Sequence, residues 1–283
     1  MSPASGPGRS SPGDPTPLVA LSIAGSDSGG GAGIQADLRS FAALRVFGTT
    51  AITAVTAQNT TGVRRVDPLP PEAVLAQVEA VLDDFGVAAV KTGMLAEAAI
   101  VELVAELAAA GRLPNLVVDP VMVASSGALL ASEAAVSAYR SRLLGLAMVV
   151  TPNLPEAAVL AGARGEEAAD QEALARRLGE ASGTTVVVKG GHAAGPRSLD
   201  VVWHDGALHR FGRPRLATAD THGSGCSFSA AIAAGLADGR GVLEAIDAAG
   251  TFVHRAIAGG ARWRLGAGPG PLDHFGWSQP EPG

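Results

Sequence analysis

The chain has 283 residues, enough for one large domain whose core needs no disulfide or metal staples. Asp and Glu outnumber Lys and Arg 27 to 21, giving a net charge of −6 with no basic cluster against it. That balance argues against nucleic acid or an anionic membrane as partner and for small ligands.

Residues 1–17 are rich in Ser, Pro and Gly and lack an apolar h-region, so they read as a disordered tail and not a secretory signal. From Leu18 onward, short Val/Ile-rich runs alternate with helical-period segments, the pattern of βα units around a mainly parallel sheet. Leu18–Ala24 reads as the first strand, a helix follows over Ala32–Leu44, and a second strand runs Thr50–Thr56. Pro70 and Pro71 open a helix in which Val74, Leu75, Val78, Val81 and Leu82 form one apolar stripe. Val87–Lys91, Leu116–Asp119, Met148–Thr151 and Thr185–Lys189 are further buried strands, apolar until a polar residue near the carboxyl end. In open α/β sheets ligands bind beyond those ends, where Asp119, Asn153 and Lys189 fall. His204-Asp205-Gly206 turns a small β-hairpin between Asp200–Trp203 and Ala207–Phe211, and helices over Gly225–Leu236 and Val242–Ile257 close the domain. The reading is a single domain over 18–277 with a loose tail at 278–283. No apolar run approaches the length of a membrane span. The lone cysteine, Cys226, excludes an intrachain disulfide and makes a Cys-based zinc site implausible, which places the chain in the cytoplasm.

Two glycine-rich segments carry most of the chemistry. Thr221-His222-Gly223-Ser224-Gly225-Cys226 precedes an Ala-rich helix, so successive backbone N–H groups and the helix dipole form an anion hole with Cys226 at its rim. A helix N-terminus lowers a thiol pKa toward about 7, which would make Cys226 largely thiolate and able to accept a proton. The same residue reads equally as a buried, inert thiol. Gly25-Ser26-Asp27-Ser28-Gly29-Gly30-Gly31-Ala32-Gly33 fits neither the dinucleotide nor the P-loop motif. It lets a flat ligand approach the backbone, with Asp37 one turn on to bind a hydroxyl, or it is a plain turn. Gln58 offers a donor and an acceptor, which suits an aminopyrimidine edge. Asn153-Leu154-Pro155-Glu156 brings an amide and a carboxylate to one point, as a hydrated Mg²⁺ site or as an ordinary helix cap. Lys189 either reaches phosphate oxygens or snorkels to water.

Taken together these segments resemble the hydroxymethylpyrimidine/phosphomethylpyrimidine kinases of the ribokinase-like superfamily. The likeness rests on Ile23–Leu38, Ile52–Gly62, Lys91–Leu95, Val118–Leu130, Thr151–Leu160, Val188–His192, Thr221–Cys226 and the closing Gly266–Phe275. It implies a three-layer α/β/α ribokinase-like domain with a mainly parallel central sheet and a small β-hairpin. The implied reaction transfers the ATP γ-phosphoryl to 4-amino-5-hydroxymethyl-2-methylpyrimidine and then to its monophosphate, in thiamine diphosphate biosynthesis. By resemblance the substrate positions are Gly25, Ala32, Asp37, Thr56, Gln58, Met94 and Val121, with Cys226 as the base. ATP and the anion hole fall on Asn153, Lys189, Gly223, Ser224 and Gly225, and Mg²⁺ on Asp119 and Glu156. The resemblance also implies a homodimer. Ser125 stands where many members have lysine, and Ser224 replaces the commoner threonine. The alternatives are a pyridoxal kinase and a catalytically silent pyrimidine-binding protein.

Overall fold

In the computed structural model the described residues are 16–122, 132–191 and 195–278. The expected tails, 1–17 and 278–283, lie outside them except for Thr16, Pro17 and Ser278, and so does Ser125. In chain order the strands are β1 (Val19–Asp27), β2 (Phe47–Asn59), β3 (Gly62–Pro68), β4 (Val87–Thr92), β5 (Val117–Val118), β6 (Val149–Val150), β7 (Thr185–Val188), β8 (Arg197–His204) and β9 (Ala207–Pro214). The helices are α1 (Gly33–Ala43), α2 (Pro71–Leu82), α3 (Ala98–Ala109), α4 (Glu133–Ala138), α5 (Leu154–Ala161), α6 (Gln171–Ser182), α7 (Ser224–Ala237) and α8 (Val242–Gly260).

All nine strands form one sheet in the order β3-β2-β1-β4-β5-β6-β7-β8-β9. From β2 through β7 the pairing is parallel, whereas β3 on one edge and β8 and β9 on the other run antiparallel. Both faces are covered, which explains why the central strands are mostly apolar, with a few buried polar residues such as Ser22 and Lys91. Leu21, Ile23, Val118, Val150, Val186 and Val188 point into one core, packed with Val74, Ile100, Val101, Leu160 and Leu174. Their alternates Ala20, Val117, Val149 and Val187 point into the other, with Phe41, Phe228, Ile232, Ile246 and Phe252. Helices α2 to α6 thus sit on one side and α1, α7 and α8 on the other, the three-layer arrangement expected.

Two differences from the sequence expectation matter for the site. β2 runs past Thr56 to Asn59, because Asn59 Oδ1 accepts the Thr61 N–H (2.9 Å) and turns the chain back into β3, an edge strand the sequence reading missed. Gln58 therefore belongs to a strand and not to the loop after one. β5 and β6 keep only two residues each, although single backbone bonds continue their ladders, Asp119 N to Thr92 O (3.0 Å) and Thr151 N to Val118 O (2.9 Å). The hairpin turns at Asp205 and Gly206, both with positive φ (46° and 80°), as a type I′ turn demands.

Candidate active site

The carboxyl ends of β1, β2, β4, β7 and the short central strands open into one cleft of about 710 Å³. Its floor is the start of α7. Gly223 is the N-cap with φ 83°, and a Cβ there would lie 1.8 Å from Gly31 O, so only glycine lets the two glycine-rich segments touch. A Cβ on Gly225 would lie 3.2 Å from Lys189 Nζ and 3.8 Å from Asp119 Oδ2, which sets a lysine and a carboxylate over the helix's first turn. The N-terminal dipole and that ammonium make this end of the cleft electropositive.

Of the expected positions, Gly25, Ala32, Thr56, Gln58, Met94, Val121, Asp119, Asn153, Glu156, Lys189, Gly223, Ser224, Gly225 and Cys226 all line this one cleft. Met94 packs over Gly25, where a Cβ would meet its Cε at 2.4 Å. Thr56 Oγ1 donates to Ser26 O (2.8 Å), tying β2 to the end of β1. Gln58 leans toward His222, 3.4 Å between the two Nε2 atoms.

Asp37 does not reach the cleft. It is fully buried on α1, where both carboxylate oxygens accept from Lys91 Nζ (2.9 and 2.8 Å) and Oδ2 also accepts from Ser22 Oγ (2.6 Å). A helix that follows a buried strand turns this face inward, so the carboxylate binds an ammonium and not a substrate hydroxyl. Lys91, which the sequence reading passed over, does line the cleft. Burial alone would lower its pKa, but Asp37, Cys226 and Asp119 outweigh that and hold the ammonium charged.

The expectation of an acidified thiol is also corrected. Cys226 lines the cleft, yet burial pushes its pKa up to about 11. Lys91 and a hydrogen bond from the Gly33 backbone work the other way, while Asp37 and Asp119 add to the rise. Desolvation thus overrides the helix dipole, and the resting residue is a neutral thiol.

Asn153 and Glu156 form a full capping box on α5: Asn153 Oδ1 accepts from Glu156 N (2.9 Å), and Glu156 Oε2 from Asn153 N (2.8 Å). Capping and cleft lining coexist, so the two readings of this motif do not exclude each other. Glu156 Oε1 keeps only a long bond from Met122 N (3.3 Å). Its burial raises the carboxyl to about 7, with Lys189 opposing and the nearby Asp119 adding to the rise. Asp119 accepts from Lys189 Nζ (2.9 Å), Thr151 Oγ1 (3.2 Å) and Ser229 Oγ (3.2 Å). Two carboxylates that penalise each other, one with an under-used oxygen, fit a hydrated Mg²⁺ that takes few protein ligands. No group of three or more His, Cys, Asp or Glu suited to a metal occurs among the described residues, so water would complete any such ion's shell.

His222 and Asp27, absent from the expected set, also line the cleft. Asp27 Oδ1 accepts the Gly29 N–H (2.8 Å) and Oδ2 the Gly31 and Ala32 N–H groups (3.0 and 2.8 Å), folding the glycine segment around one carboxylate. The sequence signal was available, since an Asp inside a glycine run commonly caps its own turn.

A family model described as phosphomethylpyrimidine kinase matches residues 27–273. The hydroxymethylpyrimidine/phosphomethylpyrimidine kinase of Rhizobium meliloti (strain 1021) is 48% identical over 263 residues, covering 91% of this chain and 97% of that protein. Among solved structures, the pyridoxal kinase of Staphylococcus aureus in complex with AMP-PCP and pyridoxal superposes with a TM-score of 0.83 at 34% identity, covering 93% and 96% of the two chains. The phosphomethylpyrimidine kinase of Clostridium difficile 630 gives a TM-score of 0.73 at 36% identity, covering 85% and 99%.

Proposed function

The chain belongs to the phosphomethylpyrimidine kinase family, and from that premise we propose that its cleft phosphorylates 4-amino-5-hydroxymethyl-2-methylpyrimidine and then the resulting monophosphate. The chain is an ATP-using phosphotransferase of thiamine biosynthesis. The observation that carries the proposed reading is that one cleft is lined both by Gly25, Thr56, Gln58 and Met94 and by Lys189 and the glycines that open α7.

At the ring end Gly25 makes room for Met94, which with Ala32 and Val121 supplies apolar walls, and Thr56 and Gln58 supply hydrogen bonds. At the other end the amides of Gly223, Ser224 and Gly225, with Lys189 and Asn153, bind the transferring phosphate. Phosphoryl transfer through a loose transition state needs positioning and charge neutralisation more than covalent help. Asp119 and Glu156 would hold a Mg²⁺ ion, which when bound supplies further positive charge beside the phosphates. Cys226 faces the acceptor alcohol and takes its proton late in the transfer. Because burial raises the thiol pKa, the thiolate that takes the proton is the minor form at pH 7. The Lys91 ammonium offsets part of the cost of forming it. The resemblance further supports a homodimer in the cytoplasm, and no described helix is long and apolar enough to cross a membrane.

The test is ADP release coupled to the pyrimidine alcohol, to its monophosphate and to pyridoxal in parallel, with and without Mg²⁺. The expected result is turnover of both pyrimidines above that of pyridoxal, lost on chelation. Faster turnover of pyridoxal, or none of the monophosphate, would overturn the reading.

A further inference from the structure

The side chains around Gln58 favour one orientation of its amide over the other. His222 Nε2 stands 3.1 Å from Asp27 Oδ2 and 3.4 Å from Gln58 Nε2. Asp27 takes three backbone N–H groups besides, and although burial opposes ionisation, those bonds and His222 hold its carboxyl below the usual range. An ionised carboxylate only accepts, so His222 Nε2 carries a proton and directs it at Asp27. A protonated Nε2 has no lone pair for an amide N–H, and two donors facing each other repel. The oxygen and nitrogen of a glutamine amide occupy the same shape and are assigned from their partners. Turned by half a revolution, Gln58 presents Oε1 as a second acceptor of the one His222 Nε2–H, shared with Asp27, and Nε2 to Thr56 Oγ1, which lies 3.4 Å from Oε1 in the present pose. Thr56 Oγ1 can accept that bond because its own proton is committed to Ser26 O (2.8 Å).

The ring His222 has little freedom to leave this position. A Cβ on Gly31 would meet its Cδ2 at 2.3 Å, and its backbone N–H is held by Gly270 O (3.2 Å). We propose that His222 is a positioning residue that locks the Gln58 amide with its oxygen toward His222 and its nitrogen toward Thr56, so that the pocket accepts a 4-amino pyrimidine edge and refuses the 4-oxo edge. The inference rests on the reading that Gln58 meets the pyrimidine ring. A 4-aminopyrimidine offers a donor beside an acceptor; the 4-oxo analogue offers the two in reverse order. A free glutamine could flip to serve either, and a locked one serves only the first.

The discriminating measurement is the ratio of kcat/KM for the 4-amino and 4-oxo hydroxymethylpyrimidines. His222→Phe should lower that ratio at least tenfold, with the KM for ATP changing less than twofold, and His222→Gln, whose amide nitrogen can again donate to Asp27, should restore most of it. In a Gln58→Ala background His222→Phe should change the ratio no further, whereas a merely structural role would leave its effect intact. If Gln58→Ala leaves pyrimidine KM and the ratio at wild-type values, the reading of the ring pocket itself fails. If Gln58→Ala collapses the ratio but His222→Phe preserves it, only the lock fails. Should His222→Phe not fold, ¹⁵N NMR of the imidazole in the wild-type protein decides: a proton on Nε2 is expected, and a bare Nε2 overturns the proposal.

Discussion

Two lysines stand at the carboxyl ends of parallel strands, each bonded to an aspartate, and they differ in exposure and in how they engage the carboxylate. Lys91 and Asp37 are both sealed, 0% exposed on either side chain, whereas Lys189 keeps 14% exposure against the 2% of Asp119. The sealed pair spends both carboxylate oxygens on one ammonium. In the open pair Lys189 touches one oxygen of Asp119, and its remaining N–H bonds face the cleft at the first turn of α7. Identical chemistry thus serves a fixed charge within the fold at one strand end and an adaptable charge for a ligand at the other. A buried pair is costly to break and of small net worth to make; a partly open one is mobile enough to change partner.

Breaking each pair separately sharpens the contrast. Lys91→Met leaves Asp37 as an uncompensated buried charge and should cost about 3 to 5 kcal/mol of unfolding free energy, measured by urea denaturation. The double variant Lys91→Met/Asp37→Leu should recover most of that loss, because no charge is then left alone. A loss below about 1 kcal/mol in the single variant would mean that water reaches the pair. Lys189→Met should do the reverse: a stability cost under about 2 kcal/mol, since Thr151 and Ser229 still donate to Asp119, with kcat/KM for ATP down about a hundredfold or more. Equal effects of the two lysines on stability and on turnover would erase the distinction.

Cys226→Ala should lower kcat about a hundredfold with little change in pyrimidine KM, as expected for a group that acts on the proton and not on binding. Retention of full turnover would remove Cys226 from the chemistry. A rise in KM with kcat unchanged would make it a packing residue.

What the sequence disclosed and what it hid follow from the range of the interactions. The capping box over Asn153 and Glu156 and the α7 N-terminus at Gly223 are local, built from residues within one turn, and their spacing announces them. The layers are readable because strands buried on both faces are mostly apolar. The Lys91–Asp37 pair was not readable, since it needs the register that sets Ser22 opposite Lys91 and the rotation of α1 that turns Asp37 inward. Nothing within a few residues of Lys91 separates VKTG from the VKGG around Lys189. The thiol's direction was misjudged for a similar reason: the helix terminus is visible in the sequence, but the packing that desolvates Cys226 is not. β3 escaped notice because its outward residues Arg64, Arg65 and Asp67 dilute the apolar signal of an edge strand.

The smallest effect tests the field that the sealed lysine exerts. With a thiol pKa near 11, alkylation of Cys226 by iodoacetamide should be slow at pH 7 and rise about tenfold per pH unit up to pH 9, since only the thiolate reacts. The ammonium of Lys91 lowers the thiol pKa in the folded protein, so its removal must raise it. At pH 9 the thiolate fraction, and the alkylation rate with it, should therefore fall in folded Lys91→Met relative to the wild type, by a few-fold if the pair interacts through partly screened protein. Replacing Lys189 should move the rate less, because Lys91 is the lysine that acts most strongly on the thiol. A plateau in wild-type alkylation above pH 7 would restore the acidified thiolate that the helix terminus alone suggests, and would shift the tuning of Cys226 from Lys91 to the backbone of α7.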